Sequence, residues 1–239
     1  HMHIKDLAAH YCWLDHHKTA LEAECRRMGL PYVSWHTSSS DKHHFVLDEQ
    51  YSGAMLAWNH FYSMFKGPVA TPRLIRHVQD RDLWRFELEG TNELACYLKD
   101  NVLTMAQWVE LLEDDSKVQK AIEEGAATLK VYQNQVKRLS KKAQSFRLCG
   151  HMGLAVNTGM HISEVGNELA KRSGNFGACW FWAEDKVVVS LRSIGDFDVS
   201  EVAKQYGGGG HKAAAGFQTD LVTLQSLLLE GQSHDRANA

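Results

Sequence analysis

The chain has 239 residues, 44% of them hydrophobic and 23% charged, with a formal net charge of -3. That balance predicts a packed soluble protein of one large or two small domains, and it excludes a disordered chain or a global basic field that would draw it to nucleic acid or membrane. The five cysteines, at 12, 25, 96, 149 and 179, show no C-x-x-C spacing, so neither a disulfide framework nor a cysteine zinc site is expected, and a reducing cytoplasm is.

No apolar run reaches the ~18 residues of a membrane helix, and "HMHIKDLAAH" has no signal-peptide core. Its His1-Met2 reads as an expression-vector remnant. Residues 4–10 read as the end of a helix. "YCWL" (11–14) is a short apolar strand, followed by the polar cluster Asp15, His16 and His17 and then a helix over 18–29 closed by Gly29. That order places the cluster at the C-terminal end of a strand, where open α/β sheets bind ligands. "PYVSWHT" (31–37) reads as a strand, "SGAMLAWNHFYSMF" (52–65) as a buried helix, and "PRLIRHVQDRDLW" (72–84) as a helix delivering Asp80 and Asp82 at its end.

From Met105 the pattern is helical almost throughout, interrupted only by Gly125. It reads as one or two connecting helices. The basic stretch "KRLSKKAQSFR" (137–147) reads as a solvated face. Beyond it come a strand at 152–158, a helix at 163–174, a hairpin over 177–193 turning at Glu184-Asp185, and a helix over 198–207 with Asp198 and Glu201 in capping-box spacing. Then comes "YGGGGHKAAAGF" (206–217). Glycines inside a helix or strand cost roughly 0.5–1 kcal/mol each, and this run lacks the serines of a flexible linker. It reads as a loop whose backbone comes close to a ligand, with His211 donating to a phosphate.

A carboxylate and two imidazoles on a bend suit a transition-metal ion with mixed N and O ligands. Alone, "LDHHKTA" reads equally as three polar surface residues, and "DRDLW" as helix-end polarity with Arg81 and Arg85 as partners. Together they are specific. Asp-His-His after an apolar strand, an Asp-rich turn about 65 residues on, and a separate region ending in Gly-Gly-Gly-Gly-His-x-x-Ala-Ala-Gly resemble the DHH phosphoesterase superfamily. The likeness covers essentially the whole chain. It is nearest to the branch of bacterial oligoribonucleases (nanoRNases) and exopolyphosphatase-related proteins, and the last third is similar to the DHH-associated substrate-binding domain.

The resemblance implies two α/β domains facing across a cleft: a doubly wound, mainly parallel sheet domain at 1–110 and a smaller mixed-sheet domain at 147–239, joined by a helical linker at 111–146. It implies a cytoplasmic hydrolase that attacks short oligoribonucleotides or small nucleotide phosphoesters through water activated by two divalent metal ions, Mn2+ foremost. His16 would ligate metal, with Asp15 as ligand or orienting group, and His17 would face the phosphate. Asp82 would be the later ligand and Asp80 its alternative. Arg192, Gly208, Gly209, Gly210 and His211 would hold the substrate phosphate. Short RNA or a nucleotide is the expected partner, without membrane, and a homodimer is one assembly open to it.

The family also carries two earlier metal-binding motifs, which do not fit in the residues before Asp15. The sequence therefore reads as truncated in its first domain, with weak or absent Mn2+ binding. A non-catalytic nucleotide-binding module is the alternative reading.

Overall fold

The computed structural model describes residues 11–39, 43–66 and 70–237, so the helix end expected at 4–10 and the His1-Met2 remnant lie outside the described residues. The chain forms two compact units, His1–Val131 and Tyr132–Ala239.

In the first unit, β1 (Tyr11–Asp15) leads into α1 (Lys18–Met28), then β2 (Trp35–Ser39), β3 (His43–Asp48) and α2 (Gly53–Lys66). The sheet order is β1-β3-β2. β1 pairs parallel with β3, and β2 pairs antiparallel with β3, as their short connection requires. Gly29 closes α1 in the left-handed conformation at φ 68°. α1 packs on β3 and α2 on β1, around Leu21, Cys25, Phe45 and Leu47. Among the described side chains of the helix expected to be buried at 52–65, Met55 and Leu56 are buried while Phe61 is half exposed. Its N-terminus is tied by Ser52, whose hydroxyl accepts from the Met55 N–H and whose own N–H reaches Gln79.

The rest of the unit is helical: α3 (Arg73–Asp82), α4 (Thr91–Asp100), α5 (Met105–Glu113) and the start of α6 (Asp115–Ser140). Thr104 and Gln107 form a full capping box on α5. Leu74, Leu94, Leu111, Val118, Ala121 and Ile122 make this half's core. Gly125 does not break α6. A Cβ there would lie 1.9 Å from the Glu93 carbonyl oxygen, so the glycine lets α4 and α6 cross in backbone contact.

In the second unit, the last turns of α6 pack Val136 and Leu139 against Val156, Val165, Leu169 and Cys179. Lys137, Arg138, Lys141 and Lys142 stand exposed. Then follow β4 (Gln144–Leu148), β5 (His151–Asn157), α7 (Ile162–Ser173), β6 (Phe176–Ala183), β7 (Lys186–Ser193), α8 (Val199–Gln205), β8 (Gly209–His211), β9 (Ala214–Thr219) and α9 (Leu221–Ala237). β4 thus begins inside the segment expected as linker.

The strands form one mixed sheet in the order β4-β5-β6-β7-β9-β8, with β5 and β6 parallel. Phe146, Phe176, Val189, Leu191, Ala215 and Phe217 line one face under α8 and α9 residues Val199, Val202, Ala203, Leu224 and Leu227. Each large side chain so buried contributes about 1.5–3 kcal/mol. Asp198 caps α8 through the N–H groups of Ser200 and Glu201. The Glu201 carboxylate accepts from Lys204.

Candidate active site

β1 ends at Asp15 and α1 starts at Lys18, so His16 and His17 make the strand-to-helix turn. On a regular strand these three side chains would alternate between faces. The carboxylate prevents that. Asp15 Oδ1 accepts from the N–H of His16 at 2.7 Å and from the N–H of His17 at 3.0 Å, an Asx-type turn that bends the chain. The same oxygen accepts from His17 Nδ1 at 2.7 Å. The two imidazoles come to lie side by side, ring centroids 4.7 Å apart.

These contacts set the charges. Burial pushes the Asp15 carboxyl up, but the His17 ring and the two N–H groups outweigh it and hold it at about 2. The hydrogen bond that His17 donates to Asp15 raises the His17 imidazole above its usual value, against the opposing effect of burial.

α3 brings the second carboxylate. His16 Nε2 faces Asp82 Oδ2 at 3.5 Å, the imidazole nearly buried and the carboxylate half exposed. Asp80 takes a different part. It is 4% exposed. Its Oδ1 accepts from the Glu87 N–H at 2.9 Å, and its Oδ2 from the Leu88 N–H at 3.1 Å and the Thr91 hydroxyl at 2.6 Å. Because the Thr91 proton points at Asp80, His77 Nδ1, 2.8 Å from Thr91 Oγ1, must be the donor in that contact. Asp80 therefore winds the α3–α4 connection around itself, and Asp82 is the carboxylate presented beside His16. That connection is tight: Trp84 and Phe86 take φ of 58° and 55°, and the Arg81 guanidinium lies over both rings at 4.2 and 5.5 Å.

In the second unit the register decides which predicted residues share a face. Arg192 pairs with Ala214 across β7 and β9, and Ala214 pairs with His211 across β9 and β8. Arg192 and His211 thus leave the sheet on one side, two strands or about 9–10 Å apart, with only a methyl group between them. The next row on that side is Ser190, Gly216 and Gly209. α7 covers β5, β6 and β7, while Gly209 and His211 lie further along, on β8.

Arg192 is pinned. Its Nη2 donates to Ser163 Oγ at 2.7 Å, and its Nη1 donates to the Leu191 carbonyl at 2.8 Å and to Ser190 Oγ at 3.2 Å. Its stem runs so close under α7 that a Cβ on Gly166 would sit 2.9 Å from Arg192 Cγ. Sequence reasoning missed Ser163 and Ser190. The signal available was the helix-weakening glycine in "SEVGNEL", which marks close approach of another chain segment.

The glycine run divides. Gly207 takes φ 74° after α8. A Cβ on Gly208 would meet the Gly216 carbonyl oxygen at 2.1 Å, and one on Gly210 would meet the Ala214 oxygen at 2.5 Å. Gly207 is a glycine for its left-handed backbone, and Gly208 and Gly210 because the chain packs against itself. Gly209 is the member of the run that faces the same way as Arg192 and His211.

The Asp-His-His turn of the first unit and the glycine-histidine β8–β9 hairpin of the second are the two features to set beside known proteins. Residues 151–230 match the DHHA1 domain. A protein of Acanthamoeba polyphaga mimivirus is 30% identical over 224 residues, which are 90% of this chain and 49% of that protein. The oligoribonuclease NrnB of Bacillus subtilis (strain 168) is 27% identical over 220 residues, covering 85% of this chain and 51% of NrnB. The chain spans about half the length of the curated relatives it matches. Among solved structures, the pGpG-specific phosphodiesterase PggH from Vibrio aligns with a TM-score of 0.45 and 13% identity over 86% of this chain and 82% of PggH. The DHHA1 domain and the likeness to NrnB support a DHH-family phosphoesterase.

Proposed function

We propose that the chain is a divalent-metal-dependent hydrolase of short oligoribonucleotides or small nucleotide phosphoesters. The observation that carries this reading is the meeting of His16 and Asp82 at 3.5 Å beside the ionised Asp15. One imidazole and two carboxylates suit a Mn2+-type ion, and two donor atoms at that separation can share one cation. When bound, such an ion polarises a phosphoryl oxygen and acidifies water.

The residues around it have separate tasks. Asp15 keeps the His17 ring in one tautomer, with the proton on Nδ1, so His17 Nε2 is the atom that holds or delivers a proton to a phosphate oxygen. In the second unit Arg192, aligned by Ser163 and Ser190, is a fixed cationic fork of the kind that recognises phosphate. His211 and Gly209 flank the small surface next to it. The name of NrnB, an oligoribonuclease, supports the substrate class.

The test is Mn2+-dependent cleavage of a short oligoribonucleotide. Asp82→Asn and His16→Asn should each lower kcat at least ~100-fold, since even indirect support of a metal ligand is worth 10–100-fold. Unchanged turnover in both variants would remove this site from the chemistry. A chain that binds the oligonucleotide without metal and never cleaves it would instead be a nucleotide-binding module.

A further inference from the structure

The first unit holds a cavity of about 690 Å³ between β3 and α2, with Val46 and Leu56 as its apolar lining. At one end the His44 and His60 rings lie nearly parallel, centroids 4.6 Å apart at 29°. Asp48 lines it four residues further along the same face of β3, about 13 Å away. Asp48 Oδ1 accepts from the Gln50 N–H at 2.8 Å, and Oδ2 carries no hydrogen bond among the described residues.

The segment from Asp48 to Gly53 joins this cavity to the candidate active site. Asp48 and Tyr51 line the cavity. The Gln50 carbonyl accepts from Arg85 Nη2 at 3.2 Å, three residues after Asp82, and a Cβ on Gly53 would lie 3.9 Å from His16 Cδ2.

We propose that the cavity is a base subsite for a nucleobase with two adjacent N–H donors, guanine foremost, whose nucleotide carries its phosphate to His16 and Asp82. This deepens the reading of the chain as a hydrolase of nucleotide phosphoesters and rests on it.

The lining selects that ligand. The volume falls within the ~300–1,000 Å³ of small-molecule pockets. Among the described residues the lining has no lysine or arginine, and the Asp48 carboxylate repels phosphate, so the anionic end of a nucleotide is kept outside. Burial, then the neighbouring His44, lowers the His60 imidazole, which keeps that ring neutral and adds no cation. A carboxylate accepts two hydrogen bonds side by side. The N1 and N2 groups of guanine supply both. Adenine and cytosine present an acceptor beside their amino group and set a lone pair against Asp48, so they are disfavoured.

The test is calorimetric titration of free nucleosides into the whole chain without metal. Guanosine should bind roughly 10-fold or more tightly than adenosine or cytidine, the discrimination of a good paired contact. Asp48→Asn retains an acceptor for the Gln50 N–H, and it should remove that preference with the urea melt unchanged. Asn59→Trp, which puts an indole on an exposed lining position, should abolish guanosine binding. In Mn2+-dependent cleavage, Asp48→Asn should raise KM for a guanosine-bearing dinucleotide and leave its kcat unchanged. No guanosine binding, equal binding of adenosine, or an unchanged preference in Asp48→Asn would overturn the base subsite. Guanosine bound as expected by a chain that never cleaves would overturn the hydrolase reading alone.

Discussion

Asp80 and Asp82 stand two residues apart on one helix end, and their surroundings give them opposite tasks. Asp80 is enclosed by the Glu87 and Leu88 N–H groups and the Thr91 hydroxyl. Burial pushes its carboxyl up, but these donors prevail and hold it below the usual carboxylate range. Because the folded value is depressed, its contribution to stability is present above the ordinary carboxylate pKa and is lost as pH falls through the folded one. Asp80→Ala should therefore cost about 2–4 kcal/mol near neutral pH, and the gap to wild type in urea melts should narrow in acid. An equal gap at all pH values would mean that Asp80 acts through shape alone. "DRD" showed two carboxylates but not which one faces inward. That choice is made by N–H groups seven and eight residues further on, in a loop with two left-handed residues that no propensity foretells. Asp15, His16 and His17 were legible because the bend that gathers them is made by Asp15 itself.

Glycine does its work at the scale of elements. The run at 207–210 reads in sequence as one ligand loop, yet Gly208 and Gly210 are fixed by contacts with β9. Gly208→Ala and Gly210→Ala should each destabilise the second unit by about 1–3 kcal/mol or more, as overpacking does. Gly209→Ala should weaken metal-free nucleotide binding, measured by fluorescence titration. Arg192→Ala should weaken the same binding by about 1.5–3 kcal/mol, the range of a charge-assisted contact. Intact affinity in both Gly209→Ala and Arg192→Ala would leave this face without a ligand. Three of the strands that sequence missed have a common cause. β3 begins with two histidines, β4 sits beside a run of lysines, and β9 opens with Ala-Ala-Gly. Each is a strand because of what it pairs with, not because of its own residues. The strongly periodic helices and the β6–β7 hairpin carry their signal locally and stand where expected.

At the scale of the whole chain, α6 belongs to both cores: Val118, Ala121 and Ile122 to the first, Val136 and Leu139 to the second. Composition marks 111–146 as helical but not what each turn of the helix buries, since the apolar positions of α6 look alike until their partners are known. We expect a fragment beginning at Tyr132 to fold, as judged by a cooperative melt. One beginning at Arg147, the boundary suggested by pattern alone, should not. It would cut β4 after its third residue and remove the cover from Val156 and Leu169. A cooperative melt from the shorter fragment would show that the last turns of α6 are dispensable.

The self-packing of the glycine run bears on how this fold would age. A descendant that gave up its substrate would still be held to Gly207, Gly208 and Gly210 by its own backbone, while Gly209, His211 and Arg192 would be released to drift. Loss of activity would thus be written in side chains and leave the most conspicuous stretch of the sequence standing. Among such descendants the glycines would report ancestry, and the Arg192–His211 row would report whether the protein still has work to do.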